Sequence, residues 1–156
     1  MKVVLAHGTF DLLHYGHVLM FRVAKAMGDK LIVTITADRY VKKGEGRPVF
    51  NERQRRDWIS ECRSVDECHI IDEPTGVAAI LKYRPTIYVK GRDTIQYTQV
   101  IEAERYAVES IKGELRYIDT GTIFHSGELL SGRYLAPRED SEGEAGLHSG
   151  QRREHG

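Results

Sequence analysis

Residues 8–17 read Gly-Thr-Phe-Asp-Leu-Leu-His-Tyr-Gly-His, and they hold the densest chemistry in the chain. His14 and His17 are three apart, the spacing that turns two side chains toward one pocket if a helix opens there. A helix start adds free N–H groups and a partial positive charge, which together favour an anion. Gly8 and Gly16 allow backbone to approach a ligand with no Cβ in the way. These features suit a bound polyphosphate. A phosphate beside the histidines would raise their pKa from about 6.5. Two imidazolium donors could then follow negative charge as it grows on a reacting phosphorus. The same His-x-x-His spacing also fits metal ligation, with His7 or His125 as a third ligand. A histidine at a helix start can also be a simple cap. The reading requires that both rings face one open site.

The surrounding pattern supplies elements to position that loop. Lys2–His7 is a β-branched, apolar run that reads as a buried strand. Residues His17–Met27 carry Val18, Phe21, Ala24 and Met27 at helical spacing, with Gly28 as the stop. Leu31–Ala37 is a second strand, and Asp38–Val49 is a polar loop with Lys42, Lys43 and Arg47. Asn51 starts a helix, with Gln54 completing a capping box and Trp58, Ile59 and Cys62 on the expected buried side. Strands are expected at Glu67–Ile71, Thr86–Lys90 and Glu114–Asp119, and helices at Val77–Tyr83, Thr98–Ile111 and Ser126–Tyr134. Strands joined by crossover helices lie parallel, with helices on both faces. The expected architecture is therefore an α/β, doubly wound, five-stranded parallel sheet. Ligands in such sheets sit beyond the carboxyl ends of the strands, so the loops after Ala6, Ala37, Val89 and Ile118 should converge on one site.

Composition narrows the function classes. The chain has 156 residues, enough for one domain with a full core. Its 23 Lys+Arg balance 23 Asp+Glu, which argues against a dedicated nucleic-acid binder. No apolar run is long enough to span a bilayer, and the direct run from Met1 into a strand-like segment gives the expectation of no basic and apolar leader. Two cysteines, Cys62 and Cys68, make no disulfide framework and fit a reducing cytoplasm as core thiols. From Pro137 onward Gly, Ser, Glu and Arg dominate, so the expected division is a folded domain over 1–136 and a disordered tail over 137–156.

The segment GTFDLLHYGH resembles the signature of the cytidylyltransferase-like nucleotidyltransferases, built on His-x-Gly-His after the first strand. It is most similar to the glycerol-3-phosphate and phosphoethanolamine cytidylyltransferases and to the heptose-1-phosphate adenylyltransferase domain. The resemblance runs from Lys2 to about Arg133. It implies a Rossmann-like, HUP-type fold and nucleotidyl transfer with release of pyrophosphate. It implies that His14 and His17 contact the nucleotide phosphates, that Thr9 and Phe10 add contacts, and that Asp11 orders the site toward substrate.

Further segments line up with the same family. Lys43-Gly-Glu-Gly-Arg47-Pro48 is similar to a mobile KGxxRP loop, which implies that Lys43 reaches the triphosphate, with Lys42 as its stand-in. Arg55 matches an arginine that faces substrate or phosphate, and Arg63 matches an Arg-x-x-Asp element; Asp38 and Arg63 are expected to bind substrate. Without the family, Arg63 and Asp66 read as a surface ion pair. Val89–Asp93 is similar to a VKGxD turn, which implies that Gly91 faces the base and Asp93 supports nucleotide or acceptor. At the last station the family carries a hydroxyl-rich run, whereas this chain has Phe124-His125-Ser126, with His125 and Ser126 as the expected nucleotide contacts.

A phosphomonoester acceptor, with a second pKa near about 6, is already nucleophilic at neutral pH. No general base is needed; the task is to hold two polyanions in line and spread the transition-state charge. His14, His17, Lys43 and Arg55 are the expected catalytic cations, with Mg²⁺ arriving on the triphosphate. The expected substrates are ATP or CTP and a phosphorylated sugar or polyol, with no nucleic acid and no membrane, and with a homodimer as the expected assembly. The alternatives are an FMN adenylyltransferase, on the Phe-His-Ser run, a non-catalytic nucleotide-binding module, and a metal-dependent hydrolase using the two histidines.

Overall fold

Among the described residues five strands form one parallel sheet, in the order β3-β2-β1-β4-β5. They are β1 (Val3–Gly8), β2 (Lys30–Thr36), β3 (Glu67–Ile71), β4 (Ile87–Gly91) and β5 (Glu114–Ile118). The computed structural model describes residues 1–96 and 98–120. The expected last helix at 126–134, His125, Ser126 and the 136/137 boundary lie outside the described residues.

The helices alternate with the strands: α1 (Tyr15–Ala26), α2 (Glu52–Ser60), α3 (Val77–Tyr83) and α4 (Thr98–Ser110). Val3 to Gly8 pairs in register with Lys30 to Ile35, and Val4 to Ala6 pairs with Ile87 to Val89. The chain leaves β1 toward β2 on one side and comes back to β4 on the other. The strand order thus reverses between β1 and β4, the crevice where such sheets bind ligands.

The period-two alternation of β1 sends its side chains into two cores. Val4 and Ala6 join Phe21, Ala24, Val33, Ile35 and Ile59 under α1 and α2. Leu5 joins Ile32, Tyr88, Ile80 and Val108 under α3 and α4. Each such fully buried large apolar side chain contributes roughly 1.5–3 kcal/mol.

The Asn51 capping box forms as expected: Asn51 Oδ1 accepts the Gln54 N–H at 2.9 Å, and Gln54 Oε1 accepts the Asn51 N–H at 3.1 Å. The buried stripe of α2 is Arg55 and Ile59, one turn apart. Trp58 therefore does not face the core as expected. It is 48 % exposed, with its ring edge-on to Phe50 at 5.6 Å. Cys62 is only half-buried beside this core, while Cys68 is buried in it, and both are free thiols. Among the described residues no helix is long and apolar enough to cross a membrane.

Candidate active site

At the carboxyl end of β1 the chain turns through Gly8–Leu13 into α1. Phe10 sits at φ 50°, a left-handed conformation that strains an L-residue. Packing compensates: the Phe10 ring is buried, edge-on to Phe21 at 5.3 Å and to His17 at 5.1 Å, and it covers Gly8. His14 is the N-cap of α1, with extended backbone. Its N–H donates to His17 Nδ1 at 3.4 Å, so a histidine here does the work usually done by Glu or Gln at the third helical position.

The two imidazoles stack at 3.7 Å with planes 20° apart, and both are half-buried rather than enclosed. The structure thus brings the two rings together at the carboxyl end of β1. Because Nδ1 of His17 accepts a backbone N–H, its remaining proton sits on Nε2 and is left to donate. Desolvation first, then the neighbouring His14 and Lys43, hold the His17 pKa down at about 3. His17 is thus a neutral Nε2–H donor in the free protein. Rings stacked in parallel do not aim nitrogens at a common ion, and among the described residues no group of three or more His, Cys, Asp or Glu forms a metal cage.

The basic loop is tied to the same turn through Asp11. Asp11, its side chain fully covered, accepts Arg47 Nε at 2.5 Å, the Val49 N–H at 2.8 Å and the Phe50 N–H at 3.1 Å. Burial opposes the Asp11 charge, but these donors outweigh it and bring its pKa below the ordinary 3.8. Asp11 therefore does not face substrate, as the resemblance implied; it anchors the loop. Lys43, which is exposed, presents its ammonium to Asp11, Asp93, Arg47 and Arg55, and is felt by His17. Partial desolvation, then Arg47, lower its pKa, with Asp11 and Asp93 pulling the other way.

Arg55 also departs from expectation. Its guanidinium is 1 % exposed and bonds inward, to Phe50 O at 3.0 Å, Thr9 O at 2.8 Å, Thr36 O at 2.9 Å and Asp38 Oδ1 at 2.7 Å. It fastens the first loop to β2 and α2 instead of facing phosphate. Asp38 is partly exposed at the end of β2 and borders an open groove of about 550 Å³ with Arg39, Glu52 and Asp72.

Arg63 lies elsewhere. It is exposed in the loop from α2 into β3, at the amino end of the sheet, so it is not brought to this site. Nor does Asp66 use it: Asp66 accepts Lys25 Nζ at 2.6 Å and the Leu31 N–H at 2.7 Å. At the end of β4 the Asp93 carboxylate curls back over Gly91, so closely that a side chain at 91 would displace it. Gly16 is buried in the first turn of α1, and Thr9 gives its carbonyl to Arg55.

This arrangement has counterparts. The cytidylyltransferase-like family matches residues 5–125. The chain belongs to that family. It is 38% identical over 138 residues to the bifunctional protein HldE of Gluconobacter oxydans, covering 87% of this chain and 28% of that protein. It is 34% identical over 131 residues to the same-named protein of Koribacter versatilis, covering 83% of this chain and 26% of that one. The chain thus spans about a quarter of these relatives' length. A lipopolysaccharide core biosynthesis protein from Thermoplasma volcanium superposes with a TM-score of 0.62 at 28% identity, over 76% of this chain and 95% of that one. A Francisella tularensis pantoate-beta-alanine ligase shares the fold at a TM-score of 0.52 and 17% identity, over 78% and 60% of the two chains. Within that family match lie His14 and His17, the two rings that the fold stacks at the end of β1.

Proposed function

We propose that this chain is a nucleotidyltransferase, which moves a nucleoside monophosphate from a triphosphate, ATP before CTP, to a phosphorylated sugar or polyol, and releases pyrophosphate. The observation that carries this reading is the stacked, half-buried His14–His17 pair at the sheet's switch point, with the Lys43 charge felt at His17. The HldE relatives and the KGxxRP and VKGxD segments support the choice of a sugar phosphate and of ATP.

An acceptor phosphate oxygen attacks the α-phosphorus while the bond to pyrophosphate breaks. The His17 Nε2–H donates to the oxygen on which charge grows. Lys43 draws the β- and γ-phosphates toward the loop. Mg²⁺ enters as part of the substrate, held mainly by phosphate oxygens. The groove beside Asp38 offers carboxylate acceptors to the hydroxyls of the acceptor.

A pyrophosphate-release screen tests the reading. ATP, CTP, GTP and UTP are each paired with sugar phosphates, glycerol phosphate and phosphoethanolamine. Release is expected with ATP and a sugar phosphate together, and with neither alone. A triphosphate that raises the melting temperature while no pair releases pyrophosphate would instead show a binding module.

A further inference from the structure

Behind the first loop, on the α3/α4 face of the sheet, lies a buried polar cluster that the reaction described above does not use. Lys90 Nζ sits 3.0 Å from Glu104 Oε2, with side chains 10% and 1% exposed. The same ammonium donates to the His7 carbonyl at 3.4 Å. Glu104 Oε1 accepts the Gly76 N–H at 2.8 Å. A Cβ at Gly76 would meet the Tyr88 hydroxyl and Glu104, so the start of α3 is pressed directly onto this pair. His7 is itself buried, with its ring nitrogens on Thr34 Oγ1 at 2.9 Å and Thr36 Oγ1 at 3.3 Å.

Burying two opposite charges carries a desolvation cost that an apolar pair of similar size avoids, so stability alone gives little reason for this pair. Its place in the fold supplies one. Lys90 and His7 are the last-but-one residues of β4 and β1, the two strands that flank the ligand crevice. From the opposite face Arg55, paired with Asp38, donates to the Thr9 carbonyl. Two buried cations, one from each face, therefore grip the carbonyls on either side of Gly8. That residue begins the strained turn whose Phe10 ring abuts His17.

We infer that Lys90 and Glu104 are positioning residues for nucleotidyl transfer, holding the end of β1 so that Phe10 and His17 stay in register with the reacting phosphorus. This rests on the proposed function. The test compares two double variants of the full chain. K90M/E104Q removes both charges and the donor to His7 O, while keeping an acceptor for the Gly76 N–H. K90Q/E104Q is equally neutral but restores an N–H donor at position 90.

Three readouts are taken: pyrophosphate release, melting temperature, and the NMR shifts of the Phe10 and His17 ring protons. K90M/E104Q is expected to keep its melting temperature within about 3 °C of the parent or to exceed it. Its kcat is expected to fall about tenfold to a hundredfold, with KM for the triphosphate changed by less than about threefold. Its Phe10 and His17 ring shifts should move. K90Q/E104Q should recover at least part of the rate and return the shifts. A parental rate in K90M/E104Q, a rate loss that tracks a lower melting temperature, or two equally slow variants would each overturn the inference. If the parent releases no pyrophosphate with any pair, the functional reading fails and the role in transfer falls with it, whereas unmoved ring shifts in K90M/E104Q would by themselves overturn the hold on Phe10 and His17.

Discussion

His17 does two jobs with two nitrogens, and they can be separated. Nδ1 accepts the His14 N–H and closes the first turn of α1. Nε2 keeps the proton that a transferring phosphoryl group would meet. Asn at this position places an oxygen near Nδ1 but nothing near Nε2. His17→Asn should therefore keep the helix start, with a melting temperature close to the parent, while kcat falls by about 10²–10³. His17→Ala should lose the same rate and in addition about 1 kcal/mol of stability with the lost cap. Thermal melts beside pyrophosphate-release kinetics check both. If Asn turned over as fast as His, the Nε2 proton would have no part in the reaction. At the same scale, Lys43→Ala should raise KM for the triphosphate more than it lowers kcat in pyrophosphate-release kinetics, because its charge is carried on an exposed loop.

The loop before α2 depends on one carboxylate. Asp11 takes three donors from Arg47, Val49 and Phe50, and so ties the 41–50 segment to the turn after β1. Asp11→Asn keeps one acceptor oxygen and loses the charge that offsets Arg47. The expected cost is about 2 kcal/mol, with faster amide exchange at Val49 and Phe50 and a higher KM for the triphosphate. Unchanged exchange at those two amides would show that the loop is held by other contacts.

Much at this scale was legible in the sequence, because period and turn residues are local signals. The Glu67–Ile71 strand, the Val77–Tyr83 helix and the Asn51 capping box stand where the pattern put them. What local pattern did not reveal is direction. Arg55 and Trp58 are three apart on a short helix, and packing turned the arginine inward and the tryptophan outward. Arg63 had a readable signal: a loop from a helix into a parallel strand lies at the amino end of the sheet, away from the crevice at the carboxyl ends. Glu104 had one as well. It shares a helical stripe with Ile101, Ala107 and Val108, so an acid was due to face the core.

At the scale of the whole molecule, acid should act through buried neutral histidines before it reaches the carboxylates. His7 is held at about 3 by burial and by Lys90, and His17 at about 3 by burial, His14 and Lys43. In the unfolded chain both take up a proton near 6.5, whereas in the folded chain they do not. The unfolded state then binds more protons, so stability is intact above 6.5 and drains away as the pH falls toward 3. Well inside that window each histidine contributes a slope of about 1.4 kcal/mol per pH unit. Asp11, whose folded pKa is lowered, adds its own loss only below 3.8. Chemical unfolding followed from pH 7.5 to 4.5 should therefore show a steepening loss below about 6.5, well before any carboxylate titrates. His17→Asn removes one of the two groups and should cut that slope roughly in half. A parental slope in this variant would mean that His17 is not a buried neutral base. Added triphosphate should flatten the curve, since its negative charge lets His17 accept a proton while the chain stays folded.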